Sequence, residues 1–507
     1  MPRSVSPAGF TLLILIAGIA LGSALTGEPQ RADGQIGQNP CSQVRIAPTM
    51  PPTFNLAGSL DFQISADCWA WQAFIYENWR AKGRGVPNGG IGPNVFGLPV
   101  PKAGAYTTVW ESYANPDDVF GTSLARRNRL LSASRGNGLR TLSAISKADG
   151  DDVHLSSFQQ AFTLGWLTSR RGDVTFYEER INNDELSYIT SPVNDLTSIG
   201  AQARCVRTGG LSLPAGTNDK DCRGNPATYG NQGAMEIKAA WIELHDPALY
   251  SRYLISRANL QYPDGRVVND AVIGLVGLHI IRKVPSAAQF AWATWEQVDN
   301  DPDQTPYVPP PNTAPPVANP TATPAWTYFN PNCTGASCAV NTQATPCANG
   351  RTPPPSGCQP YRVPTQTKRV VPVSNFAEQS TGTFRAALAR AHANASVFRY
   401  YRMIDVQWPR TPTPTQQRPN ATIPLSQGSP APVWKVANST LETYVQGRAA
   451  CMDCHQQAAI AGSSTTAGGR AHIRLLSPAL VRRSALRAGN PRYASDWSFV
   501  FGKAQRP

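Results

Sequence analysis

The stretch ACMDCHQQA, residues 450–458, gathers two thiols and an imidazole in a chain that has only 10 cysteines and 6 histidines among 507 residues. Cys451 and Cys454 are separated by two residues, and His455 follows the second cysteine directly. Two thiols at this spacing with an adjoining imidazole form the pattern for covalent attachment of haem c. The thiols add to the two vinyl groups of the porphyrin as thioethers, and the imidazole is then placed under the iron as its proximal ligand. Two other chemistries compete for the same residues. A redox dithiol is expected beside a βαβ unit, and no such pattern surrounds the motif. A zinc site needs a second Cys/His pair, and none lies nearby. The expectation is therefore one covalent haem c held by Cys451, Cys454 and His455.

The motif resembles the attachment site of c-type cytochromes. Small soluble members carry it near the start of a short domain and have a distal methionine downstream. Here it lies near the C-terminal end, and no methionine follows Met452. The stretches WQAFIYENW, MEIKAAW, GLVGLHIIRK, WATWEQVDN and SDWSFVFGKAQ resemble a set of large bacterial proteins classed only as cytochrome c family. That resemblance implies a haem protein and carries over no catalytic residue.

The second axial ligand has few candidates. His279 lies in GLVGLHIIRK, where strand alternation puts it on one face with Leu275, Gly277 and Ile281. Such a face could take a flat porphyrin, so His279 is the first choice as distal ligand. Met403 comes second and His472 third. Met235 heads a strand pattern and reads equally as core. A vacant or water-filled position is the remaining alternative.

The elements that must carry this site are legible in outline. MPRSVSPAGFTLLILIAGIALGSALTGEPQ has a lone Arg3, an apolar run from Phe10 and small residues at Gly22 and Ala24. It reads as a secretory signal over 1–24, with an uncleaved anchor as the rival reading. Export to the periplasm, or out of a bacterial cell, suits the other eight cysteines, an even number in an oxidising compartment. Cys41 is expected to pair with Cys68 and Cys205 with Cys222. Cys333, Cys338, Cys347 and Cys358 would form a two-bridge knot of open connectivity.

ADCWAWQAFIYENWRAKG predicts a helix capped by Asp67 and stopped at Gly83. Residues 160–300 read mostly as strands. Residues 301–325 are proline-rich, and a Cys-rich loop follows. TFRAALARAHANA predicts a helix and FRYYRMIDVQW a strand. NSTLETYVQ predicts a helix opened by a capping box of Ser439 and Glu442, and SPALVRRSALRAG another, capped by Ser477. The fold class is α+β: a mixed, β-rich body over 25–300 with disulfide-stapled loops, a connector and Cys-rich loop over 301–375, and a mostly helical haem segment over 376–507.

Charge narrows the partners. The formal net charge is +13, and nine Arg or Lys from Arg448 onward face only Asp453 and Asp496. No zinc-finger, RNP or P-loop signature supports a nucleic-acid partner. A redox partner protein, with an acidic face suited to this surface, is the expectation. No segment after the signal is long and apolar enough to span a membrane. Asp299, Asp301 and Asp303 begin like a calcium loop, but the glycine and the later glutamate of such a loop are missing, so a plain turn is expected. The function expected is electron transfer by a periplasmic mono-haem protein, with a haem enzyme of peroxidase or oxygenase type, or an oxidoreductase subunit, as the alternative. The size of the body favours that alternative; the presence of one motif, where peroxidases of this type carry two haems, counts against it.

Overall fold

A computed structural model of the chain describes residues 41, 44–52, 62–99, 107–120, 140–143, 166–208, 210–304, 326–335, 338–342, 361–408, 435–448, 450–455, 458, 460–461 and 494–504. The signal reading over 1–24, the predicted helix in SPALVRRSALRAG, and His472 lie outside these residues. Among the described residues, no helix is long and apolar enough to cross a membrane.

The fold is α+β, built on a seven-stranded sheet. Its strands are β3 Arg140–Ser143, β4 Phe176–Ile181, β5 Met235–Glu243, β6 Ile255–Gln261, β7 Val267–Val284, β8 Ala287–Gln297 and β9 Tyr401–Gln407; a separate hairpin joins β1 Ala81–Gly83 to β2 Val86–Pro87. The 18-residue β7 is the spine. β5 lies along one side of it, with β4 beyond. On the other side β6 pairs with the first half of β7 and β8 with the second half. β9 extends the sheet beyond β8, and β3 adds the one parallel pair, against β6. Residues 401–407 therefore belong to the same sheet as the strands of the body.

The two faces of this sheet differ in chemistry. One carries Ile237, Ala239 and Trp241 of β5, Leu278 and Ile280 of β7, Trp295 of β8 and Met403 of β9, all buried in the main core. Helices α1 (Phe62–Glu77) and α5 (Asn375–Arg390) cover it. Trp71 stacks on Phe384 at 4.0 Å and meets Trp295 edge-on at 5.9 Å. Its indole N–H donates to Ser380 Oγ at 3.1 Å. α1 is apolar around nearly its whole circumference, which fits a helix buried on every side. It starts at Phe62, earlier than expected. Asp67 is an interior residue that accepts a bond from Gln63 Nε2 at 2.9 Å, so it caps nothing. The helix ends at Glu77, and Gly83 belongs to β1.

The opposite face carries Glu179 (β4), Glu236 and Lys238 (β5), Gly277, His279 and Ile281 (β7), and Trp292, Thr294 and Glu296 (β8), in register with one another. The expected grouping of Leu275 with His279 fails because the pairing slips between Ala240 and Trp241. Leu275 turns into the main core, and Val276 joins Ala240 on the other side. Helices α2 (Pro116–Phe120), α3 (Asn183–Thr190) and α4 (Ile199–Thr208) belong to the cluster that packs around Ile181, Ile281 and Trp292.

Disulfides join Cys41 to Cys68 and Cys205 to Cys222, as expected, and Cys333 to Cys338. Cys347 and Cys358 lie outside the described residues.

Candidate functional site

The motif forms the short helix α6, Cys451–His455. In a helix, positions i, i+3 and i+4 fall on one side, so Cys451, Cys454 and His455 share a face. The helix is docked on the polar side of the sheet. Met452 is buried in the cluster with Trp292, Phe501 and Trp497, and Cys451 packs half-buried against that cluster. The Met452 amide donates to Gln407 Oε1 of β9 at 3.0 Å. The Cys454 side chain lies outside the described residues.

His455 is held on three sides. Its ring lies 4.3 Å from that of Trp292 and 4.9 Å from that of Phe499. Its Nδ1 is 2.8 Å from the carbonyl oxygen of Trp497. A carbonyl can only accept, so Nδ1 carries the proton and Nε2 keeps its lone pair. Burial pushes the pKa of His455 down to about 4, against the pull of the Trp497 carbonyl, and Lys238 and His279 add to the lowering. The imidazole is thus neutral, in a single tautomer.

The carbonyl that fixes His455 belongs to a turn of unusual backbone. Asp496 and Trp497 both have positive φ, 54° and 74°, a conformation that costs a non-glycine residue about 1–3 kcal/mol unless its surroundings enforce it. The surroundings here are a buried ion pair between Asp496 and Lys283 of β7 and a bond from the Leu213 amide to Asp496 Oδ2 at 2.6 Å. Burial raises the pKa of Asp496, while Lys283 and the Leu213 amide oppose the rise. None of this is readable from the sequence, because the partner of His455 is a backbone atom and Lys283 is 213 residues from Asp496.

His279 lies on the face that carries the motif, and its charge adds to the lowering of the His455 pKa. Its Nε2 is bonded to Glu442 Oε1 at 3.1 Å. Burial opposes ionisation of Glu442, but His279 and then Lys238 overcome it and hold the carboxyl below its usual range. Residues 438–442 fold over Gly277, and a Cβ there would sit 2.2 Å from Thr440 Oγ1. Gly277 therefore admits this segment.

The helix expected in NSTLETYVQ is replaced by turns and a 3-10 turn at Gln446–Arg448. A reciprocal pair of side-chain bonds of the capping kind forms one residue earlier than expected, closing a turn rather than opening a helix. Asn438 Oδ1 accepts from the Thr440 amide at 2.9 Å, and Glu442 Oε2 accepts from the Asn438 amide at 2.8 Å. Ser439 instead donates to Glu296 and Asp301. Met235 and Met403 are fully buried in the core on the far side of the sheet. Asp299 pairs with Arg252 and Asp303 with Arg402, the ordinary structural use expected of that turn.

No protein-family model matches the chain, no curated protein aligns with it significantly, and no solved structure matches its fold significantly.

Proposed function

We propose that this protein is an exported mono-haem c-type cytochrome that transfers electrons. Cys451 and Cys454 would form the thioethers, and His455 would be the proximal ligand. Haem c, when bound, supplies a one-electron couple whose potential depends on ligand, burial and neighbouring charge. The observation that carries this reading is the bond between His455 Nδ1 and the Trp497 carbonyl. Histidines that bind a metal through one nitrogen commonly donate the other N–H to a carbonyl or carboxylate, which fixes the tautomer and orients the ring. The donor set fits the group: a neutral imidazole with Nε2 unprotonated, in the same short helix as Cys451 and Cys454. Trp292 and Phe499 pack against the ring on two sides. The net charge of +13 suits an acidic redox partner.

In this reading His279, bonded here to Glu442, would be the second residue to hold the iron. A second reading draws on that same contact. If Glu442 keeps His279, the distal position stays open, as a haem enzyme or oxidoreductase subunit requires.

The test is haem-stained denaturing electrophoresis of wild type and of the double variant Cys451→Ala, Cys454→Ala. A stained wild-type band that vanishes in the double variant supports covalent haem; an unstained wild type, or a variant stained as strongly, overturns it. Spectra of the reduced protein with and without carbon monoxide separate the two readings: an unchanged spectrum supports closed axial coordination, and a shifted one supports the open site.

A further inference from the structure

A second group of ligand-type side chains stands apart from the motif, at the end of β5. His245 Nε2 lies 3.0 Å from Asp173 Oδ1, and His245 Nδ1 lies 3.8 Å from Glu243 Oε1. One nitrogen and two carboxylate oxygens fall within 4.8 Å of one another. We propose that Asp173, Glu243 and His245 form a binding site for a first-row divalent cation with mixed nitrogen and oxygen ligands, zinc in the first instance.

Four features support a site rather than a chance meeting of polar side chains. First, both backbones that carry the ligands are fixed. Asp173 closes a tight hairpin in which the Ser169 amide donates to the Asp173 carbonyl at 2.8 Å and the Asp173 amide donates to Ser169 Oγ at 3.2 Å. Glu243 and His245 stand two residues apart, so they leave the strand on the same side. Pairing persists between them, since the Leu244 amide donates to the Val272 carbonyl at 2.8 Å. Second, Glu243 has an outer partner, because the Tyr262 hydroxyl donates to its Oε2. Ligating carboxylates are commonly held in this way. Third, Asp173 is only 8 % exposed, whereas the His245 side chain is 43 % exposed, which leaves an entry path and room for water ligands. Fourth, two carboxylates and a neutral imidazole balance the charge of one dication.

The donor types choose the ion. Imidazole favours zinc and its neighbours over calcium or magnesium, and the two carboxylates keep the site from being purely soft. An ion needs its ligands at about 2 Å. The exposed ring of His245 must therefore turn one nitrogen toward both carboxylates, since Nε2 faces Asp173 and Nδ1 faces Glu243 in this structure. Tyr262 already faces the site, and the guanidinium of Arg266, 3.8 Å from the centre of the Tyr262 ring, acts electrostatically with Glu243, so an incoming ion must compete with that charge for one carboxylate. Bound there, the ion would tie the 168–174 hairpin to the end of β5.

The test is calorimetric titration of the purified chain with zinc, together with cobalt(II) absorption. Any zinc held elsewhere on the chain is common to wild type and variants, so the informative quantity is what His245→Ala and Asp173→Asn remove. Loss of one zinc equivalent in both variants, with Tyr262→Phe weakening that same equivalent by about tenfold, is the expected result. The cobalt spectrum of that equivalent should lack thiolate charge-transfer bands. Equal zinc binding by wild type and His245→Ala, or a response to calcium alone, overturns the proposal. His245 is exposed enough that its loss should leave folding intact, and the melting temperature without metal checks this.

Discussion

Removing the ammonium of Lys283 should loosen the turn that orients His455. Lys283 and Asp496 are 4 % and 2 % exposed at their side chains. Deleting one partner of such a buried pair leaves an uncompensated charge and costs about 3–5 kcal/mol. Lys283→Met should fall near the lower end, about 3 kcal/mol, because Asp496 can escape by taking a proton. Burial already raises its pKa, and Lys283 is the strongest influence holding it down. In the variant the raised folded-state pKa means that stability is intact below the unfolded value of about 3.9 and is lost as pH rises. The deficit relative to wild type should therefore be smaller at about pH 5 than at about pH 8. Asp496→Asn should cost less, since Glu185 and Asp219 also act electrostatically with Lys283. Urea unfolding of both single variants and the double variant gives the coupling directly, expected at about 2 kcal/mol. A coupling under about 0.5 kcal/mol, or a deficit independent of pH, would refute the reasoning. Nitrogen-15 spectra of His455 supply the local readout: the fixed tautomer of wild type should become a mixture in Lys283→Met.

Further outcomes follow from buried groups elsewhere. Burial raises the Glu77 carboxyl from 4.5 to about 8, against a bond from Tyr113 and the charge of Arg282. A carboxyl raised in the folded state favours folding below about 4.5 and loses that contribution as pH climbs to about 8. Glu77→Gln should remove that part of the pH dependence; urea midpoints at both ends of the window that fall equally in variant and wild type would count against it. Gly277→Ala should cost about 1–3 kcal/mol by overpacking, since the new Cβ meets Thr440 and Asn438. Proteolysis should then cut residues 435–448 sooner, whereas Gly502→Ala, with open space around it, serves as the neutral control.

The sequence by itself located the strands and singled out the motif. Alternating apolar residues located β4 through β9, because period-two patterning is imposed by burial of one strand face. The spacing of Cys451, Cys454 and His455 marked them as one candidate site before any fold was known, while the helix that puts them on one side came from the structure. Cys41 with Cys68 and Cys205 with Cys222 were found from proximity and parity alone. What the tertiary structure decided is how these parts meet. Leu275 left the His279 face because a one-residue slip in pairing reverses every side chain beyond it. Asn438 displaced Ser439 as the cap because Glu296, 143 residues away, takes the Ser439 amide. Asp67 became a buried interior residue of a helix that starts earlier than its capping pattern, because packing of that helix under Trp295 and Phe384 outweighs local propensity. The polarity of the face beneath the motif, and the Lys283–Asp496 pair that aims the Trp497 carbonyl at His455, arise from contacts between distant residues. Local pattern carries no trace of such contacts, since each partner is an ordinary residue in its own segment.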